Sequence, residues 1–100
     1  MSDNIPLEGY IYLIKMCDTN NRTIYKVGRT IDFYRRYNDY NYAKLLCVIN
    51  SKNIINDKHN IVNLFNVNFI LDKGTDFFLA PNDNVVMKIF LEYFYRQLNL

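Results

Sequence analysis

One hundred residues, half of them apolar and 22% charged, describe a single folded domain spanning 1–100 with one core, and exclude a disordered chain. No apolar run approaches the ~20 residues of a membrane span, and MSDNIPLEGY has neither the basic flank nor the apolar core of a secretory signal, so neither a membrane protein nor a secreted one is expected. Net charge is only +2, but Arg22 to Lys58 holds eight Lys/Arg against three Asp, a local +5 beside −3 elsewhere, which suits a phosphate-facing surface as well as a solvated face.

Two cysteines, Cys17 and Cys47, and one histidine, His59, make neither a disulfide framework nor a four-ligand zinc site. The cysteines read as reduced core thiols and His59 as an ordinary surface or half-buried residue. The chain has 15 Asn, to which no function attaches, and only two Glu, Glu8 and Glu92.

Gly9 to Met16 alternates as a strand, with Tyr10, Tyr12 and Ile14 on one face and Ile11, Leu13 and Lys15 on the other. The turn cluster Asp18-Thr19-Asn20-Asn21 leads into a second strand, Thr23 to Gly28, so an antiparallel hairpin is expected. Gly28 falls where a side chain would obstruct a turn or a close ligand. Thr30 reads as the N-cap of a helix running to about Tyr40, with Asp32 in its first turn and Phe33, Arg36, Tyr37 and Tyr40 on one side.

Ala43 to Ile49 is a third, central strand by its apolar run, and a second helix from about Lys52 to Phe65 turns Ile54, Lys58, Ile61 and Phe65 inward. A turn at Asp72-Lys73-Gly74-Thr75 and a short extended piece, Asp76 to Leu79, precede a last helix introduced by Pro81-Asn82-Asp83 and ending near Leu98. The fold class is therefore α/β in the α+β sense. Its order is β-β-α-β-α-α, a small three-stranded, mainly antiparallel sheet flanked by helices. On the last helix Asn84, Lys88, Glu92 and Arg96 form a single polar stripe, with Glu92 set to pair with Arg96, and nearly everything else is large and apolar. Either the N-terminal segment and Phe77-Phe78 cover that surface, or residues 84–98 pack in a homodimer with Tyr93 or Tyr95 at its rim.

The segment GYIYLIK…YKVGRT…RR…Y resembles the GIY-YIG nuclease superfamily over residues 9 to 40. Tyr10-Ile11-Tyr12 is similar to its first motif and Lys26-Val27-Gly28 to its second, with Arg36 eight residues after Gly28 and Tyr40 one turn later. Downstream, HNIVNLFNVNF and KGTDFF resemble the branch common in phages and large DNA viruses, which extends the likeness to about residue 79. The resemblance implies DNA as partner and metal-assisted hydrolysis of phosphodiester bonds, while the reduced thiols and the signal-free N-terminus lead us to expect an intracellular chain, in the cytoplasm, the nucleus or an infected host cell. It implies that Tyr12 helps activate or position the nucleophile, that Arg36 contacts the phosphate with its planar donor fork, and that Lys26 and Tyr40 complete the catalytic set. Arg29 and Arg35 read as surface charges or loose phosphate contacts, and Asp76-Phe77-Phe78 as a structural closure with Phe77 or Phe78 in the core.

The departure lies at the metal ligand. Mg²⁺ or Mn²⁺ is the cofactor the resemblance implies, held by a Glu on the second helix, and Lys58 stands in that place. A protonated ammonium has no lone pair for a cation. Three readings follow: a nuclease domain degenerate in metal binding, a non-catalytic DNA-binding or protein-interaction module on the same fold, or a nuclease whose metal is held by Asp57 after a small helix rotation.

Overall fold

The computed structural model describes residues 7–38 and 43–98, without the side chains of 36–38. In chain order the elements are β1 (Gly9–Cys17), β2 (Thr23–Thr30), α1 (Phe33–Asn38), β3 (Lys44–Ser51), α2 (Ile54–Asn68), β4 (Ile70–Lys73), β5 (Phe77–Leu79) and α3 (Asp83–Leu98). The α+β class stands, but the sheet has five strands rather than three, all antiparallel, in the order β3-β1-β2-β5-β4. Among the described residues no helix is long and apolar enough to cross a membrane.

The expected hairpin forms. Asp18 organises its turn by accepting from the backbone N–H groups of Asn20 and Arg22, and Arg22 bridges Asp18 to Asp72. The alternation along β1 sorts side chains onto two faces. Ile11 and Leu13, with Tyr25 and Val27 of β2, face α2 and α3 and join Ile54, Ile61, Phe65, Phe78, Val86, Phe90 and Phe94 in one core. Tyr12, Ile14 and Ile24 are also buried but point to the other face, so the hairpin is covered on both sides. Ile54, Ile61 and Phe65 are the buried stripe of α2, as their spacing predicts.

Several expectations are corrected. β3 lies at one edge of the sheet, not at its centre, because only β1 pairs with it; its burial is accordingly partial along most of its length. β4 escapes the sequence pattern, since its four residues are largely exposed and lack an apolar face. It forms a hairpin with β5 around Gly74, whose φ of +61° suits glycine. Asp32, not Thr30, caps α1: its Oδ1 accepts from Arg35 N–H at 3.1 Å, while Thr30 ends β2 and its Oγ1 accepts from Asp32 N–H. Cys17 is exposed beside the hairpin turn rather than in the core, and only Cys47 is half-buried, its thiol pushed up by burial. On α3 the buried stripe is Val86, Phe90, Tyr93 and Phe94. Tyr93 is thus inside the protomer and not at a rim, while Leu91, Tyr95 and Leu98 stay exposed. Glu92 lies 4.0 Å from Lys88, one turn earlier, instead of pairing with Arg96.

Candidate functional site

The two motifs of the hairpin meet across adjacent strands. Tyr12 is directly opposite Gly28, and Lys26 is opposite Ile14, two residues along on the same face. Tyr12 and Lys26 are therefore diagonal neighbours, a spacing of roughly 7–8 Å in antiparallel sheets. The Tyr12 side chain lies over Gly28: a Cβ built on the glycine would overlap its Cζ, Oη and Cε1. Gly28 is thus needed by the tyrosine itself, rather than by a turn or a ligand as its position in the sequence suggests. Phe33, at the start of α1, packs edge-on to Tyr12 with ring centroids 6.3 Å apart, and the Tyr12 side chain is 3% exposed.

At the outer edge of β2 the pairing is short. Only Tyr25 and Lys26 pair with β5, and Val27 N–H donates to the carbonyl of Asp76 just beyond it. There Lys26, from the strand, and Lys58, from α2, each place Nζ 3.0 Å from the same oxygen, Oδ2 of Asp76. All three side chains are at most a quarter exposed. The aromatic neighbour helps to hold them, with the Lys26 ammonium 5.1 Å from the centre of the Phe77 ring. Burial by itself would raise the Asp76 carboxyl. The hydrogen bonds and charges of Lys26 and Lys58 outweigh it and keep the group below the usual carboxylate range. The cluster is therefore two ammoniums on one carboxylate, a fixed excess of one positive charge.

Asp76, expected only as part of a structural closure, is the acid that joins the two lysines. The closure it was assigned does exist, since Phe78 is fully buried against Phe65. The acid has a second task, which the one pairing of an acidic residue with two aromatics in that stretch did not by itself reveal. Lys58, four residues after Ile54 on α2, reaches Asp76 with its ammonium.

The remaining candidates are dispersed. Arg29 and Arg35 are exposed. Arg36 belongs to α1, but its side chain and all of Tyr40 lie outside the described residues. Asp57 is turned toward β3 and α3: Oδ2 accepts from Ser51 Oγ, and Oδ1 accepts from the Tyr93 hydroxyl at 2.6 Å. Burial and this bond to the carboxylate push the Tyr93 hydroxyl up.

A divalent cation does not fit the described residues. Where the resemblance calls for a carboxylate on the second helix there is an ammonium. The one carboxylate bonded to it already carries a second ammonium on the same oxygen. Both oxygens of Asp57 are engaged elsewhere. Among the described residues no group of three or more His, Cys, Asp or Glu could hold an ion together.

Compared with known protein families, the chain matches the T5orf172 domain over residues 9–74. The matched stretch contains Tyr12, Lys26 and Lys58 and ends two residues before Asp76. Neither the curated proteins nor the solved structures gave a match.

Proposed function

The chain belongs to the T5orf172 domain family, a phage-associated domain of nuclease type, and on that premise we propose that it binds DNA by its phosphates, with lysines supplying the charge that a metal ion supplies in cleaving relatives. The observation that carries this reading is the Lys26–Asp76–Lys58 cluster. Asp76 fixes both ammoniums in place, so their order is already established before DNA arrives. Each ammonium has three donors and gives one to Asp76. Lys58, with a quarter of its side chain exposed, offers its remaining donors to a phosphate oxygen, and Lys26 acts as its positioning partner. Arg29 and Arg35 add exposed positive charge on the same basic stretch. The finer assignment, a GIY-YIG-type domain, is supported by Tyr10-Ile11-Tyr12 and Lys26-Val27-Gly28 lying in paired strands with Tyr12 on Gly28.

Binding is then independent of divalent metal. Duplex DNA should be held equally well in EDTA, and Lys58→Ala should weaken it and reduce the slope of log K against log salt by about 0.9, one phosphate contact. Anisotropy titrations over a salt series read both. An unchanged slope in Lys58→Ala would remove the cluster from the interface. A second reading, hydrolysis, draws on the Tyr12–Gly28 arrangement and on family membership, with Tyr12 and Arg36 as its acting residues. Nicking of plasmid DNA in Mg²⁺ or Mn²⁺ by the present sequence would establish it over the first.

A further inference from the structure

The face of the sheet that carries Tyr12 has a second feature that phosphate binding leaves unused. The register of β1 with β3 sets Tyr10 opposite Asn50 and Tyr12 opposite Val48. Directly opposed residues share a face, so Tyr10, Val48 and Asn50 make a floor beside Tyr12. The cap at Asp32 starts α1 just where Phe33 and Tyr34 rise along one side of that floor. The result is an open cavity of about 590 Å³. Phe33 is its inner wall, with ring centroids 6.4 Å from Tyr10 and 6.3 Å from Tyr34.

Its apolar members are poorly covered. Tyr34 is 83% exposed, and Tyr10 and Val48 are each more than a third exposed. A cluster of exposed apolar side chains around a cavity marks a ligand or partner site. The polar groups narrow the choice. Asn50 lines the cavity and spends its Nδ2 on the carbonyl of Gly9 at 3.0 Å, which makes its side-chain oxygen the acceptor it can offer a ligand. Asp32 contributes a carboxylate at the rim, and Arg35 follows Tyr34 on the same exposed turn. Aromatic faces, acceptors for amino or imino hydrogens and a neighbouring guanidinium for phosphate match the chemistry of a nucleotide with its base exposed.

We propose that this cavity receives one unpaired nucleobase, stacked against Tyr34 and Tyr10, and that the chain therefore prefers single-stranded or locally opened DNA. The inference rests on the DNA-binding reading above and adds the kind of DNA. In an intact duplex the faces of each base are covered by its neighbours, so the cavity would stay empty and only the lysine cluster would act.

The test compares a twelve-nucleotide oligothymidylate with a strand of equal length built from abasic residues, which keeps every phosphate and removes every base. Anisotropy titration of the full chain should show oligothymidylate bound about tenfold tighter, within the range of base stacking on an aromatic side chain. Tyr34→Ala should collapse that ratio towards one, and Tyr34→Trp should restore it. Lys58→Ala should weaken both strands by the same factor and leave the ratio standing. Equal affinity of the native chain for the two strands, or a ratio that survives Tyr34→Ala, overturns the base site while leaving phosphate binding intact. Binding to neither strand overturns the base site, and phosphate binding falls with it if duplex DNA is not held either, whereas duplex binding alone overturns only the base site.

Discussion

Replacing Gly28 by alanine tests the packing on which the position of Tyr12 depends. The added Cβ would sit closer to three atoms of the Tyr12 ring than the 3.0 Å that real Cβ atoms respect. The nearest ring carbon would be 2.0 Å away, and carbon atoms settle at about 3.5–4.0 Å, so the ring would have to retreat by roughly 1.5–2 Å. It has little room to do so, since Tyr12 is 3% exposed and Phe33 lies against its edge. Overpacking of this kind costs about 1–3 kcal/mol. For a domain of this size each kcal/mol moves Tm by about 4–8 °C, so Gly28→Ala should melt roughly 4–24 °C lower. The interaction is isolated by repeating the substitution in a Tyr12→Leu background, where Cζ, Oη and Cε1 are gone. There the alanine should be nearly neutral, because glycine inside a strand offers no packing of its own. A coupling of about 1 kcal/mol or more between the two positions is the expected reading from urea denaturation followed by circular dichroism. If Gly28→Ala costs the same in both backgrounds, or nothing in the native one, the ring does not lie where it is described.

Asp76→Asn should destabilise the domain at neutral pH and much less in acid. The native carboxyl is held below its ordinary value, so its contribution is full above an unfolded pKa of about 3.9 and disappears as pH falls through the lower folded value. Urea midpoints at pH 6 and pH 3 check this, and an equal gap at both contradicts it. Tyr93→Phe leaves the Asp57 carboxylate with one donor fewer in a part-buried setting. It should cost about 1.5–3 kcal/mol, seen as a lower urea midpoint at unchanged slope; an unmoved midpoint would mean that water replaces the hydroxyl freely. Lys58→Glu sets a second carboxylate beside Asp76 and should confer a rise in Tm with added Mg²⁺ that the native chain lacks, by mass action. Differential scanning fluorimetry reads it, and an identical response of the two proteins would count against the metal-position assignment of residue 58.

The hairpin, α2 and the closing helix were legible because their periodicities are strong: Ile11, Leu13, Ile61 and Phe65 all fall where alternation or helical spacing puts them. β4 was not, since three of its four residues are exposed and carry no alternation to read. The edge place of β3 was hidden for a different reason. Its apolar run is what a central strand would show, and only the pairing reveals that one side is open. At the site, Lys26 and Lys58 were singled out from motif spacing and the inner face of α2. Their meeting on Asp76 depends on β5 returning to the edge of β2 from 50 residues away, which no local pattern encodes. Tyr93 shows the opposite failure: an apolar surround made it look available for contact, while its hydroxyl was committed to Asp57.

The slender attachment of β5 has a kinetic consequence. Strands β1 and β2 are joined by a long ladder across a short turn, and β1 and β3 by a second long ladder, whereas β5 holds to β2 through two residue pairs and closes a loop of about half the chain. Loop-closure entropy favours forming the local contacts first. The β4–β5 hairpin should therefore dock late in folding and detach first, with Phe78 as its single deep anchor. When it lifts away it takes Asp76 with it and leaves Lys26 and Lys58 facing each other as like charges. Amide exchange would see this as a small cooperative opening, separate from global unfolding, in which the strand most important to the lysine cluster is also the least protected part of the sheet.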